Sequence, residues 1–193
     1  MVIHDTGSLI HWNYFLALEA DIERLARYVE FTKKNFDTFS IEIAHLLLSA
    51  SSEVDVVVQQ LCQKIDGTEK AENIEQYRNV FRKHIPSLEK ENVTIPRYGL
   101  VLSPWSNWQK NESPDWWRGY NKVKHERNTY FEKASLKNVL NSMAGLLLLI
   151  LHFYRGTTEN NRIVPPPTLF IPPSELAFVA PAIEGEMSLY FRE

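Results

Sequence analysis

Arg118 and His125 stand seven positions apart in Ser113-Pro-Asp-Trp-Trp-Arg-Gly-Tyr-Asn-Lys-Val-Lys-His-Glu-Arg-Asn. Seven residues make almost two helical turns, so in a helix Arg118, Asn121, Lys122 and His125 form one polar stripe. Trp116, Tyr120, Val123 and the stem of Arg127 fall on the opposite side. A guanidinium holds phosphate oxygens bidentately, and an imidazole exchanges protons near neutral pH. A helix anchored by its aromatic face could therefore hold an anion and move a proton on the other.

The elements around this stripe read as helices. Leu9 to about Val29 carries Phe15, Leu18, Ile22, Leu25, Ala26 and Val29 on one face. Asp37 or Thr38 offers a cap for a longer helix, whose Ile43, Leu46, Leu47, Ala50, Val54, Val57, Val58, Leu61 and Ile65 keep three-and-four spacing until Asp66-Gly67. Thr68 offers a cap for a third helix, with Ile74, Tyr77, Phe81 and Ile85, which Pro86 ends. From Ser87 to Glu112 the helical period is lost; alternation in Val93-Thr94-Ile95 and Leu100-Val101-Leu102 predicts a long ordered loop with short extended pieces. Ser113 as cap, Pro114 at the first helical position and Asp115 near the positive dipole end predict a sharp start for the motif helix. Ser135 starts a last helix around Leu146–Leu151, with Gly156 just past its end. Five of the ten prolines lie between Pro165 and Pro173, and apolar pieces at 168–171, 177–179 and 187–191 predict an extended tail lying on the bundle or on a partner. The expected fold is all-α: a four- to five-helix bundle over residues 1–156, then a Pro-rich extended tail over 157–193.

Composition narrows the function. The 193-residue chain, 44% hydrophobic with a net charge of -3, suits one core and is not coated with positive charge, so any basic site is local. Cys62 is the only cysteine, which excludes an internal disulfide framework and a cysteine-based zinc cluster. The N-terminus lacks the pattern of a secretory signal, and the apolar run at Leu146–Leu151 is too short to span a bilayer, so a cytoplasmic protein without a membrane partner is expected. A Gly-rich phosphate loop, a His-Glu-x-x-His, a Gly-x-Ser-x-Gly and a Rossmann fingerprint are all missing. His4, His11, His45, His84, His125 and His152 lack ligand spacing, so neither metal nor cofactor is expected; His45 and His84 read as surface residues and His152 as a satisfied core histidine. Four of five tryptophans, Trp105, Trp108, Trp116 and Trp117, concentrate in one stretch. They are either interface or base-stacking platforms, or anchors for the loop.

The Arg118-x6-His125 pattern near the start of a late helix, in a bundle of this size with an acidic residue on an earlier helix, resembles the HEPN superfamily. The surrounding Trp-Trp-Arg-Gly-Tyr-Asn-Lys-Val-Lys-His-Glu-Arg is similar to bacterial HEPN-like proteins. The resemblance covers roughly residues 9 to 155. It implies metal-independent RNA cleavage in a composite cleft of a homodimer, as in toxin or defence components that an inhibitory partner protein restrains. His125 would be the acid/base, Arg118 the phosphate stabiliser and Asn121 an orienting residue. Lys122, Lys124, Glu53 and Trp117 would contact substrate. Gly119 departs from the family, which commonly has a polar residue after the arginine, and Arg127 replaces a tyrosine of one toxin branch, whose regulation by adenylylation therefore does not carry over. The other function the resemblance allows is a non-catalytic HEPN-like ligand-binding or dimerisation module.

Overall fold

The computed structural model describes residues 8–67, 71–182 and 185–192. The N-terminal segment read for a signal, His4 and the Thr68 cap lie outside them. Five helices form the frame: α1 (Ile10–Leu25), α2 (Ile41–Ile65), α3 (Ile74–His84), α4 (Asp115–Tyr130) and α5 (Leu136–Tyr154). The expected all-α class is wrong, because two small antiparallel sheets complete the fold. In the first, β1 (Val93–Ile95) pairs with β2 (Leu100–Leu102), Val93 opposite Leu102. In the second, β5 (Met187–Phe191) lies between β3 (Arg162–Ile163) and β4 (Ala177–Pro181). Prolines stop helices but not this sheet: the five at 165–173 fall between β3 and β4, and Pro181 ends an edge strand.

α5 is the central helix. Leu146 through Leu151 are fully buried, and the helix packs on α2, α4 and α1. By length and composition it could cross a membrane, but 78% of its apolar window is buried inside the fold, which marks it as a core helix. Its N-terminal amides are satisfied doubly. Ser135 Oγ accepts from Asn138, and the carbonyls of Thr38 and Phe36 accept from Leu136 and Lys137 at 2.8 and 3.0 Å. The carbonyls of Phe36 and Thr38 thus serve α5. The cap of α2 is Ser40, whose Oγ accepts the Ile43 amide at 3.1 Å, and not Asp37 or Thr38. Asn73 caps α3, accepting from Glu75 and Gln76. α1 ends four residues before Val29.

The tail from Gly156 onward is tied to the bundle. Trp12 Nε1 donates to the Pro165 carbonyl at 2.9 Å, and Thr94 and Ile171 exchange backbone hydrogen bonds at 2.9 and 2.8 Å. The buried carboxylate of Glu19 accepts from the amides of Thr168, Leu169 and Phe170, and the Thr168 hydroxyl lies between Glu19 and Glu23 at 3.3 and 3.0 Å. Phe170, fully buried, meets Phe15 edge-on at 6.2 Å.

Candidate active site on the fourth helix

α4 starts at Asp115 with Pro114 as its N-cap and no side-chain cap, so Ser113 does not do the capping expected of it. Helical geometry runs unbroken to His125; Glu126 is non-helical (φ -138°, ψ 40°), and the kink falls just past the motif. One face is buried, through Trp116, Gly119, Tyr120 and Val123. The opposite face carries Arg118, Asn121, Lys122 and His125 together, as the period requires. The stem of Arg127 is exposed rather than part of the packed face, because the kink turns the chain before it.

His125 is exposed and has no hydrogen-bond or ion-pair partner among the described residues, so both ring nitrogens are open to solvent. Arg118, half exposed, donates through Nη2 to Asp115 Oδ1. Asp115 also receives Asn107 Nδ2 at 3.4 Å, and its other oxygen lies 3.7 Å from Lys137 Nζ. Asn121 Nδ2 donates to the Trp117 carbonyl at 3.0 Å. Lys122 Nζ sits 3.7 Å over the Tyr130 ring, and the exposed Lys124 lies 5.4 Å from the Tyr120 ring.

A cleft of about 410 Å³ opens beside this face, lined by Arg118, Lys122, Lys133 and Lys137 against Asp37, Asp115 and Glu132. A smaller cleft of about 230 Å³, with Trp116 and Asn141 in its wall, shares Asp115, Lys137 and Asn138 with the first. Lys133 and Lys137 reach the stripe because α5 folds back antiparallel along α4. His125 lines neither cleft.

Two of the expected substrate contacts lie elsewhere. Glu53 accepts from His11 Nδ1 at 2.6 Å, and His11 Nε2 is 3.2 Å from Gln60 Oε1; no hydrogen bond or ion pair among the described residues joins Glu53 to the stripe. This His11–Glu53 pair, 5% and 15% exposed, stitches α1 to α2 from positions that share no local pattern. Trp117 is 9% exposed, edge-on to Trp116, so its ring packs the helix instead of facing a ligand. Trp105 and Trp108 are buried with centroids 4.5 Å apart, and Trp105 meets Trp116 at 5.1 Å. They anchor the loop onto α4 and α5 and offer bases no stacking platform.

The other histidines have ordinary placements. His45 is exposed, His84 pairs with Asp66 at 3.1 Å, and His152, 6% exposed, pairs with Glu91 at 3.0 Å. Among the described residues no three His, Cys, Asp or Glu side chains gather as a metal ion needs. Comparison of the chain with family models, curated proteins and solved structures gives no match.

Proposed function

We propose that the chain is an HEPN-like metal-independent endoribonuclease acting through the exposed face of α4. The observation that carries this reading is the His125 side chain, unpartnered among the described residues, on the same face as Arg118, which lines a cleft with Lys122, Lys133 and Lys137 facing Asp37, Asp115 and Glu132. In this chemistry the 2′-hydroxyl of the substrate attacks the adjacent phosphorus, and the bond to the 5′-oxygen of the next nucleotide breaks. His125 takes the hydroxyl proton or returns one to the leaving oxygen. Arg118 stabilises the charge that develops on the phosphoryl oxygens. Asn121, oriented by its bond to Trp117, and Lys122 place the strand. Since one stripe carries one imidazole, the reading includes a homodimer whose two stripes meet across a two-fold axis. A cytoplasmic setting fits the single cysteine, Cys62, which is buried and unpaired.

The test is cleavage of an unstructured RNA in EDTA by the parent protein, His125→Ala and Arg118→Ala, with light scattering of each. The parent should leave 2′,3′-cyclic phosphate ends as a dimer. Each variant should lose about 10²- to 10⁴-fold in rate with its fold intact. A parent that cuts no RNA with or without metals, or an undiminished His125→Ala protein, sinks the nuclease reading. The non-catalytic ligand-binding or dimerisation module would then replace it, a reading favoured by the lack, among the described residues, of any carboxylate orienting His125.

A further inference from the structure

A second basic surface lies away from α4. Where α1 ends, Arg24 and Arg27 converge with Arg97, from the turn joining β1 to β2, on an open cleft of about 490 Å³. The small side chains of Ala20 and Ala26 also line it. Among the described residues Glu23 is the single acid in the lining, and its carboxylate is engaged by the Thr168 hydroxyl at 3.0 Å. Arg24 has a surface pair with Asp21 at 3.1 Å, whereas Arg27 and Arg97 have no acidic partner among the described residues. Arg97 lies 5.3 Å from the Tyr98 ring, which is itself packed on buried Phe31 at 4.9 Å, so its position is supported from below. Tyr28, next to Arg27 in the chain, is 83% exposed, the most exposed of the large hydrophobic side chains among the described residues.

Cations near a helix C-terminus complement its dipole, and that accounts for Arg24. It does not account for Arg97, which arrives from another element, or for the exposed aromatic ring of Tyr28, the residue that follows Arg27. The guanidinium groups of Arg27 and Arg97, which have no acidic partner among the described residues, are suited to phosphate oxygens, and an open cleft suits a strand passing over it more than an enclosed small ion. We infer that Arg24, Arg27 and Arg97 form an exosite for the phosphodiester backbone of single-stranded RNA, with Tyr28 stacking a base. It rests on the reading of the chain as an RNA-handling protein, and it names a surface that the α4 stripe does not include.

The experiment measures binding of a labelled, unstructured RNA to His125→Ala protein, which leaves the strand whole, across a salt series. Each neutralised phosphate contributes about 0.7 to the slope of log affinity against log salt for a single strand. Replacing Arg24, Arg27 and Arg97 by Gln should reduce the slope by about 2 and weaken binding at low salt. The same charge change at Lys90, Lys110 and Arg155 should leave the slope within about half a unit of the parent's, less than one phosphate contributes. Tyr28→Ala should weaken binding roughly 5- to 100-fold with the slope unchanged.

A triple variant indistinguishable from the control overturns the exosite, as does a protein that binds no RNA at low salt. Inorganic phosphate at low millimolar concentration competing as well as RNA would assign the cleft to a free phosphate and overturn the strand. Cleavage by protein with His125 intact is read separately. Arginine-dependent binding without any cleavage removes the nuclease and keeps the exosite; cleavage with an unchanged slope does the reverse.

Discussion

Gly119 of α4 faces Asn138 of α5 so closely that a methyl group on its Cα would lie 2.5 Å from Asn138 Nδ2 and 3.3 Å from the Lys133 carbonyl oxygen. That amide is not free to swing away, since Nδ2 donates to the same Lys133 carbonyl at 2.8 Å. The residue after Arg118 is glycine here because the two helices touch at that point. The glycine is therefore a packing requirement of this fold.

Gly119→Ala should consequently destabilise the protein by about 1 to 3 kcal/mol, the usual cost of overpacking, despite the better helix propensity of alanine. Urea denaturation would register this as a lower midpoint. A stabilised variant would mean the α4–α5 approach can relax.

Glu19 should be as sensitive for a different reason. One buried carboxylate accepts three backbone hydrogen bonds, from Thr168, Leu169 and Phe170. Glu19→Gln puts an NH₂ group against backbone donors, and a lost hydrogen bond to a charged group costs about 1.5 to 3 kcal/mol. Limited proteolysis should then cut faster around residues 165–173. Unchanged cleavage there would show that the aromatic and strand contacts alone hold the tail.

The fold was legible where it is local. The spacing from Ile43 to Leu61 forms α2 as expected, and the alternation at Val93–Ile95 and Leu100–Leu102 becomes a hairpin. The class was misread because the second sheet joins remote residues, Arg162 to Tyr190 and Ala177 to Phe191, and each partner alone is only a short apolar piece among prolines. The same division holds for the site. Arg118, Asn121, Lys122 and His125 share a face because one helical period relates them. Lys133 and Lys137 join them only through the α4–α5 fold-back, and Glu53 leaves them because His11, 42 positions away, claims it.

Trp116 separates packing from chemistry on α4. It is 2% exposed, donates through Nε1 to the Pro104 carbonyl at 2.8 Å, and sits against Gly145 of α5. Trp116→Ala should lower stability by about 3 to 5 kcal/mol, while Arg118→Ala on the opposite face should change it by less than about 1 kcal/mol. Comparable losses at both positions would contradict the two-faced helix.

Alkaline pH should expose two buried acids. Burial pushes the Cys62 thiol from 9.0 up to about 12. Burial, aided by the charge of Asp55, which accepts its hydroxyl, raises Tyr77 from 10.0 to about 12. Both folded values lie above the unfolded ones. The stability they represent is complete below about pH 9 and is lost as pH climbs toward 12. The denaturation midpoint should fall across that window, and iodoacetamide at pH 8.5 should label Cys62 only once urea unfolds the chain. Native labelling as fast as that of a free thiol would contradict this.

Asp115 gives the sharpest separation between a helix-dipole charge and a site. Its carboxylate holds Arg118, Asn107 and Lys137 at once, so it stands where an anionic ligand of those cations would bind. It also supplies the only acid in the first turn of α4, where a negative charge is worth about 0.3 to 1 kcal/mol. Asp115→Asn should therefore lower stability by that small amount and strengthen RNA binding to His125→Ala protein. The gain should be about 2- to 5-fold, the scale of an exposed ion pair worth up to roughly 1 kcal/mol. The salt slope should steepen by about 0.7 as one more cation becomes available to phosphate. Opposite signs in the two measurements identify a carboxylate that competes with substrate; if binding weakens together with stability, Asp115 serves the helix alone and the cleft beside Arg118 is not where the strand lies.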